Sequence, residues 1–154
     1  REHQRSRPPG WETVETGEVP DAVRHAEVPV LVDCLGTWVT RLLDDAAAWE
    51  DRARAERLLA EASRDLVAAL RAARSHVVLV SNETGLGVVP ATPSGRLFRD
   101  GLGRVNVAVA DACERVALVV AGRVCELGDQ PRIAQTPGLS PHESATDRRP
   151  GPRG

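Results

Sequence analysis

The chain has 154 residues, 42% of them apolar, and a formal net charge of −2; this suits one domain with a real core and gives no electrostatic case for nucleic acid. No apolar run approaches the roughly 20 residues of a bilayer-crossing helix, and no signal-peptide pattern opens the chain. All 20 basic residues are arginine and methionine is absent. A GxxxxGK[ST] phosphate loop is therefore impossible within these residues, and an N-terminal piece is expected to precede them.

Residues 1–12, REHQRSRPPGWE, are polar and reach a Pro-Pro-Gly turn before Trp11. Glu12 to Thr16 alternates weakly and reads as a short strand, and Gly17 to Glu27 as a loop or short helix. Val28 to Val32 is a fully apolar strand closed by Asp33. A helix follows from about Leu35, with Trp38, Val39, Leu42 and Leu43 at helical spacing. The next helix runs from about Trp49 to Ala73. Leu58, Leu59, Ala62, Leu66, Val67 and Leu70 form its apolar stripe, and arginines and glutamates its wet side.

His76 to Ser81 carries a second unbroken apolar run, Val77-Val78-Leu79-Val80, of the kind a strand buried on both faces needs. It ends in Ser81-Asn82-Glu83-Thr84 and a loop rich in Gly and Pro, before a helix from about Gly95 through Cys113. Arg115 to Ala121 reads as a third buried strand, with Gly122 to Leu127 as its hairpin partner. Apolar strands separated by helices predict an α/β fold, a mostly parallel sheet covered by helices on both faces. The boundaries are a domain over 1–128 and a disordered, Pro/Gly/Arg-rich tail over 129–154. Cys34, Cys113 and Cys125 each lie in or beside apolar stretches without CxxC spacing, so they read as reduced, buried thiols of a cytoplasmic protein rather than a metal cluster.

Three constellations carry chemistry. Val30-Leu31-Val32-Asp33 is like a strand end that orients hydrated Mg²⁺ against phosphates, although an Asp there can equally cap the next helix. Asn82 and Glu83 stand at a strand's carboxyl end, where open α/β sheets bind ligands; the plainer reading is that they cap their loop. His3-Gln4-Arg5-Ser6-Arg7 sets one imidazole beside two guanidiniums, a nucleophile for phosphorus with forks for phosphate oxygens, or simply an exposed tail. Arg96 to Arg104 could hold phosphates or a partner subunit, with an intrahelical Arg96–Asp100 pair as the default.

Taken together, His3…Arg7-Pro8…Trp11…Glu15, Val32-Asp33-Cys34-Leu35…Trp38…Leu42-Leu43, and Val80-Ser81-Asn82-Glu83-Thr84-Gly85-Leu86-Gly87-Val88-Val89-Pro90 with Phe98-Arg99-Asp100…Gly103-Arg104-Val105-Asn106 carry a resemblance over roughly residues 1–127. The chain resembles the bifunctional adenosylcobinamide kinase / adenosylcobinamide-phosphate guanylyltransferase family of cobalamin biosynthesis. The resemblance implies a RecA-like P-loop NTPase fold, homo-oligomers (trimers), and ATP and GTP as substrates with Mg²⁺. It implies phosphorylation of the aminopropanol hydroxyl of adenosylcobinamide, then guanylyl transfer from GTP to give adenosylcobinamide-GDP and pyrophosphate.

His3 falls on the histidine that the family guanylylates. Gln4, Arg5, Ser6, Arg7, Glu15 and Asp33 fall on GTP-binding positions, with Asp33 as the Mg²⁺ carboxylate; Asn82, Glu83 and Arg99 are substrate or phosphate contacts. The family often has Arg directly after the histidine, where this chain has Gln4. The first strand and Walker A loop of that fold are missing from residues 1–154, which alone are expected to be poorly stable and to lack kinase activity. The rival readings are a non-catalytic remnant of the fold acting as an interaction module and a different P-loop nucleotide-binding protein sharing only the Asp33 strand end.

Overall fold

Two short strands pair in parallel, and everything between them must cross from the end of one to the start of the other. β1 (Val30–Asp33) and β2 (Val77–Val80) run in register, Val30 beside Val77 and Asp33 beside Val80. A parallel pair needs a long crossover. Here it is two helices, α2 (Leu35–Asp45) and α3 (Arg52–Ala72), while α1 (Val19–Arg24) precedes β1 and α4 (Pro93–Ala110) follows β2. The computed structural model describes residues 10–128 and Gln130. The segment His3 to Arg7 lies outside the described residues, as does the expected tail apart from Gln130.

The chain divides into two compact units, one up to Cys113 and one from Glu114. In the first, α3 is the central packing element. Its fully buried Leu66 and Ala69 join Val23 of α1, Val39 and Leu43 of α2, and Leu102 and Val105 of α4 in one cluster. Gly101 of α4 lets the helices approach, since a Cβ there would stand 2.6 Å from Leu59 Cδ1. Ser63, the buried polar residue on α3, donates its hydroxyl to the Leu59 carbonyl at 2.6 Å, which satisfies it without a tertiary partner.

Local chemistry sets the helix boundaries, and it moves two of them from the expected positions. α3 starts at Arg52 rather than Trp49, because the Asp51 side chain accepts from the Arg54 amide at 2.9 Å. α4 starts at Pro93 rather than Gly95, because Thr92 accepts from the Gly95 amide at 3.1 Å and Pro93 occupies the first helical position. At the end of α2 the Ala47 amide bonds the Asp44 carbonyl and the Ala48 amide the Leu43 carbonyl, both at 2.9 Å. Ala47 is left-handed, with φ of 46°, and buried Ala48 joins Leu43 in the core cluster. That is a Schellman stop built on alanine where glycine is usual.

Three expectations need correcting. The sheet is not covered on both faces in the described chain. Val32, Val77 and Leu79 pack on the core, while Leu31, Val78 and Val80 remain 40%, 58% and 41% exposed on the other face. The third strand, β3 (Ala117–Val120), pairs antiparallel with β4 (Arg123–Glu126) as the expected hairpin, in the second unit, but it is not buried. Its turn is Ala121-Gly122, with φ of 50° and 70°, as a two-residue hairpin loop with positive φ at both positions requires. Val119, Val120 and Val124 are exposed. Glu12 to Thr16 forms no strand; Val14, the one large apolar residue in it, is exposed, so the segment has no apolar face to bury.

The cysteines follow the same division. Cys34 and Cys113 are half-buried, and the Cys113 thiol is pushed up in pKa by burial, whereas Cys125 is exposed rather than buried. No helix among the described residues is long and apolar enough to cross a membrane.

Replacing Ala47 with Gly relieves the left-handed strain and is expected to raise unfolding free energy by about 0.5–1 kcal/mol. Leu66→Ala should lower it by about 2–5 kcal/mol. Urea melts followed by circular dichroism read both, and an unchanged midpoint for Ala47→Gly would contradict the strain assignment.

Candidate functional site

The carboxyl ends of β1 and β2 lie side by side, so the residues that leave them share one edge. β1 releases Asp33 and Cys34 into the first turn of α2, and β2 releases Ser81, Asn82 and Glu83 into the loop that leads to α4. Asp33 follows the alternation of its strand and is exposed on the face opposite the helices. Asn82 reaches across the edge. Its Oδ1 lies 3.5 Å from Cys34 Sγ, and a Cβ on Gly36 would stand 2.6 Å from it. Position 36 therefore has room for glycine alone as the loop now stands. Cys34 Sγ also lies 3.4 Å from the Thr37 hydroxyl.

Asn106, near the C-terminal end of α4, closes this edge from the other side. Its Nδ2 donates to the Asn82 carbonyl at 3.1 Å, and its Oδ1 accepts from the Ser81 hydroxyl at 2.6 Å. Glu83 folds back on its own loop, its Oε1 accepting from the Gly85 amide at 2.6 Å. Glu83 thus makes a loop-capping contact, whereas the Asn82 side chain is turned toward Cys34. Glu83 and Gly85 also line an open cleft of about 580 Å³ along α4, with Arg99, Asp100, Gly103 and Arg104.

Arg99 faces that cleft within an ion-pair network that joins α3 to α4. Its Nε and Nη2 donate to Asp100 Oδ1 at 3.2 and 3.0 Å, and Asp100 Oδ2 accepts from Arg52 at 3.3 Å. Arg52 and Arg104 converge on Glu56 at 3.0 and 3.1 Å. The expected Arg96–Asp100 pair gives way to these contacts. Arg96 instead donates to the carbonyls of Pro90 and Ala91, both at 2.9 Å, which ties the end of the loop to the start of α4. The bonds from Arg99 and then Arg52 hold the Asp100 carboxyl below its usual range. Arg104, followed by Arg52, does the same for Glu56.

Among the GTP-binding positions that the sequence singles out, Asp33 lies on this edge. Glu15 is exposed, two residues before Gly17. The Gly17 carbonyl accepts from Trp38 Nε1 at 3.0 Å, and a Cβ on Gly17 would meet the Arg41 side chain at 2.9 Å. The segment is therefore anchored on α2, the helix that starts directly after the Asp33 strand end. Gln4, Arg5, Ser6 and Arg7, like His3, fall outside the described residues. Asn106, Gly36 and Cys34 were not picked out by spacing or composition, since the contacts that use them join segments tens of residues apart.

Residues 1–127 match the family model described as CobU, cobinamide kinase / cobinamide phosphate guanyltransferase. The chain belongs to this family. It is 39% identical over 130 residues to the Escherichia coli protein named bifunctional adenosylcobalamin biosynthesis protein CobU, and the match covers 78% of this chain and 71% of that one. The Salmonella typhimurium protein of the same name is 38% identical over the same shares. The Pseudomonas aeruginosa bifunctional adenosylcobalamin biosynthesis protein CobP is 36% identical over 136 residues, 84% of this chain and 73% of that one. The mixed α/β structure with parallel strands is consistent with this membership.

The network on α3 and α4 predicts a pH response. Glu56 and Asp100 have folded pKa values below their ordinary ones, so their contribution to stability is present above the ordinary carboxylate range and is lost as pH falls through the folded values. The melting temperature should drop on acidification from about pH 6 to pH 3, and less steeply in Arg104→Ala. Carboxyl NMR titration of Arg99→Ala should show the Asp100 pKa moving up toward its ordinary value; an unmoved pKa would remove Arg99 as the cause.

Proposed function

We propose that this protein is an adenosylcobinamide kinase / adenosylcobinamide-phosphate guanylyltransferase that works through a guanylylated His3, with residues 1–128 as its nucleotide-binding domain. The observation that carries the reading is the family match from residue 1 to residue 127, which includes the histidine-arginine segment and both polar strand ends. Its substrates are adenosylcobinamide, adenosylcobinamide phosphate, ATP and GTP. The RecA-like P-loop architecture, a cytoplasmic setting and a homo-oligomeric, trimeric assembly belong to the same proposal.

In the guanylyl-transfer half, neutral His3 attacks the α-phosphorus of GTP. A P–N bond forms as the bond from that phosphorus to the bridging oxygen breaks, and pyrophosphate leaves with the electron pair. Gln4, Arg5, Ser6 and Arg7 bind the phosphates, and the two guanidiniums offset charge that develops on the phosphorane oxygens. A phosphate oxygen of the acceptor then attacks the same phosphorus. The P–N bond breaks, the imidazole is released, and adenosylcobinamide-GDP forms. Protonating the imidazole as it leaves assists this step. Glu15 holds the nucleotide, while Asn82, Glu83 and Arg99 border the acceptor and its phosphate.

Asp33 is the residue that would hold Mg²⁺, which supplies charge neutralisation on the phosphates when bound. The donor fits such an ion: it is a hard, exposed carboxylate at a strand end. Magnesium binds through one or two carboxylates and keeps its other positions for water and phosphate oxygens.

Incubating the protein with GTP labelled at the α-phosphate should give a protein-bound label that is acid-labile and base-stable. His3→Ala should lower it by at least about a hundredfold, the order expected for loss of an essential nucleophile. Equal labelling of His3→Ala would exclude His3, and an unlabelled parent protein would remove the guanylyl-transfer half of the proposal.

A further inference from the structure

Asn106 is bound at both ends of its amide, and both bonds go to the strand edge. The Nδ2 group donates to the Asn82 carbonyl at 3.1 Å, and Oδ1 accepts the Ser81 hydroxyl at 2.6 Å. The two contacts use one donor and one acceptor, which fixes the orientation of the amide. They also fix the direction in which the chain leaves β2, because a backbone carbonyl and the adjacent side chain are held from the same point on a helix. The helix is rigidly seated: Leu102 and Val105, beside Asn106, are 0% and 1% exposed.

From this anchor the constraint passes across the edge. Asn82, held by its carbonyl, presents its side chain to Cys34 at 3.5 Å and over Gly36, where a Cβ would stand 2.6 Å from its Oδ1; these two residues carry β1 into α2 next to Asp33. In the other direction, Glu83 follows Asn82 directly and closes on the Gly85 amide at 2.6 Å, at the mouth of the cleft that also holds Arg99. One amide on α4 thus sets the position of the turn that carries Glu83 and bears on the turn that carries Asp33.

We propose that Asn106 is a positioning residue for the reaction: it touches neither nucleotide nor acceptor, and it holds the Ser81–Gly85 turn so that Asp33 and Glu83 keep one fixed relation. This rests on the proposed guanylyl transfer. Misplacing reacting groups by a fraction of an ångström to an ångström lowers turnover more than it lowers substrate affinity. Asn106→Asp keeps the acceptor for Ser81 but sets a carboxylate against the Asn82 carbonyl. Asn106→Leu removes both bonds at similar volume, and Ser81→Ala removes one.

Two measurements test the assignment. The first is hydrogen–deuterium exchange of the Gly85 amide, which donates to Glu83 at 2.6 Å, against α3 as an internal reference. In Asn106→Leu that amide should exchange about tenfold faster or more, with α3 unchanged, as the turn loses both of its bonds to Asn106. The second is self-labelling by α-labelled GTP as its concentration is varied. Asn106→Asp and Asn106→Leu should lower the maximal rate by about tenfold or more while half-saturation moves by less than about threefold, and Ser81→Ala added to Asn106→Leu should lower it no further. Unchanged exchange in Asn106→Leu overturns the proposal whether or not the parent protein takes label. Normal maximal rates in folded variants overturn it too. If the parent takes no label, the guanylyl-transfer reading fails, and the exchange result alone decides what Asn106 holds.

Discussion

The parallel pairing of Val30–Asp33 with Val77–Val80 is the constraint from which the rest of the first unit follows. Strands that run the same way cannot be joined by a tight turn. The chain between them must return along the sheet, and it does so as α2 and α3. Both helices need an apolar side against the strands, which is why Val39, Leu43, Leu59 and Leu66 point into one cluster with Val32, Val77 and Leu79. The same pairing puts both carboxyl ends at one level, so polar residues that are 48 positions apart in sequence, Cys34 and Asn82, come within 3.5 Å. Had the strands been antiparallel, Asp33 and Glu83 would sit at opposite ends of the sheet.

The periodic signals made most of this skeleton legible. Runs of four apolar residues located both parallel strands, and helical spacing located α2, α3 and α4 within a few residues. What spacing could not supply was the other side of each strand. An unbroken apolar run is compatible with burial on both faces, yet Val78 and Val80 remain exposed where their neighbours Val77 and Leu79 pack. The hairpin after Arg115 was legible from Gly122, but a Val-rich run does not say whether it is buried, and Val119 and Val120 are exposed. The positive φ values at Ala121 and Gly122 turn it back on itself. The end of α2 was hidden for a related reason: Ala47 does the work that a glycine would advertise.

The site was legible in part. Polar residues clustered after an apolar run are a strong sign of a strand's carboxyl end, and Asp33, Asn82 and Glu83 do gather on one edge. Their side chains, however, are engaged in ways no linear pattern encodes: Asn82 toward Cys34, Glu83 onto the Gly85 amide. Arg96 was paired on paper with Asp100 because the two are four residues apart on a helix. In three dimensions the bare carbonyls of Pro90 and Ala91 take Arg96, and α3 offers Arg52 to Asp100. Intrahelical spacing is a weak competitor against contacts that a neighbouring helix brings at little extra entropic cost.

Around the edge and the adjoining cleft stand three guanidiniums, Arg52, Arg99 and Arg104, and four carboxylates, Asp33, Glu56, Glu83 and Asp100. The three arginines are engaged with Glu56 and Asp100, so the seven groups sum to −1 and the carboxylates of Asp33 and Glu83 form a pair with no ion-pair partner among the described residues. A nucleotide triphosphate brought to that pair alone would meet repulsion, not a binding site. Under the proposed chemistry the missing positive charge has two sources, a divalent cation at Asp33 and the forks of Arg5 and Arg7. In that proposal they would act on different parts of the ligand: a cation held by Asp33 would screen phosphate from carboxylate, and the guanidiniums would offset charge on the α-phosphate oxygens. Under that proposal the exposed carboxylates at the strand ends and the arginines beside the histidine are complementary halves of one phosphate site.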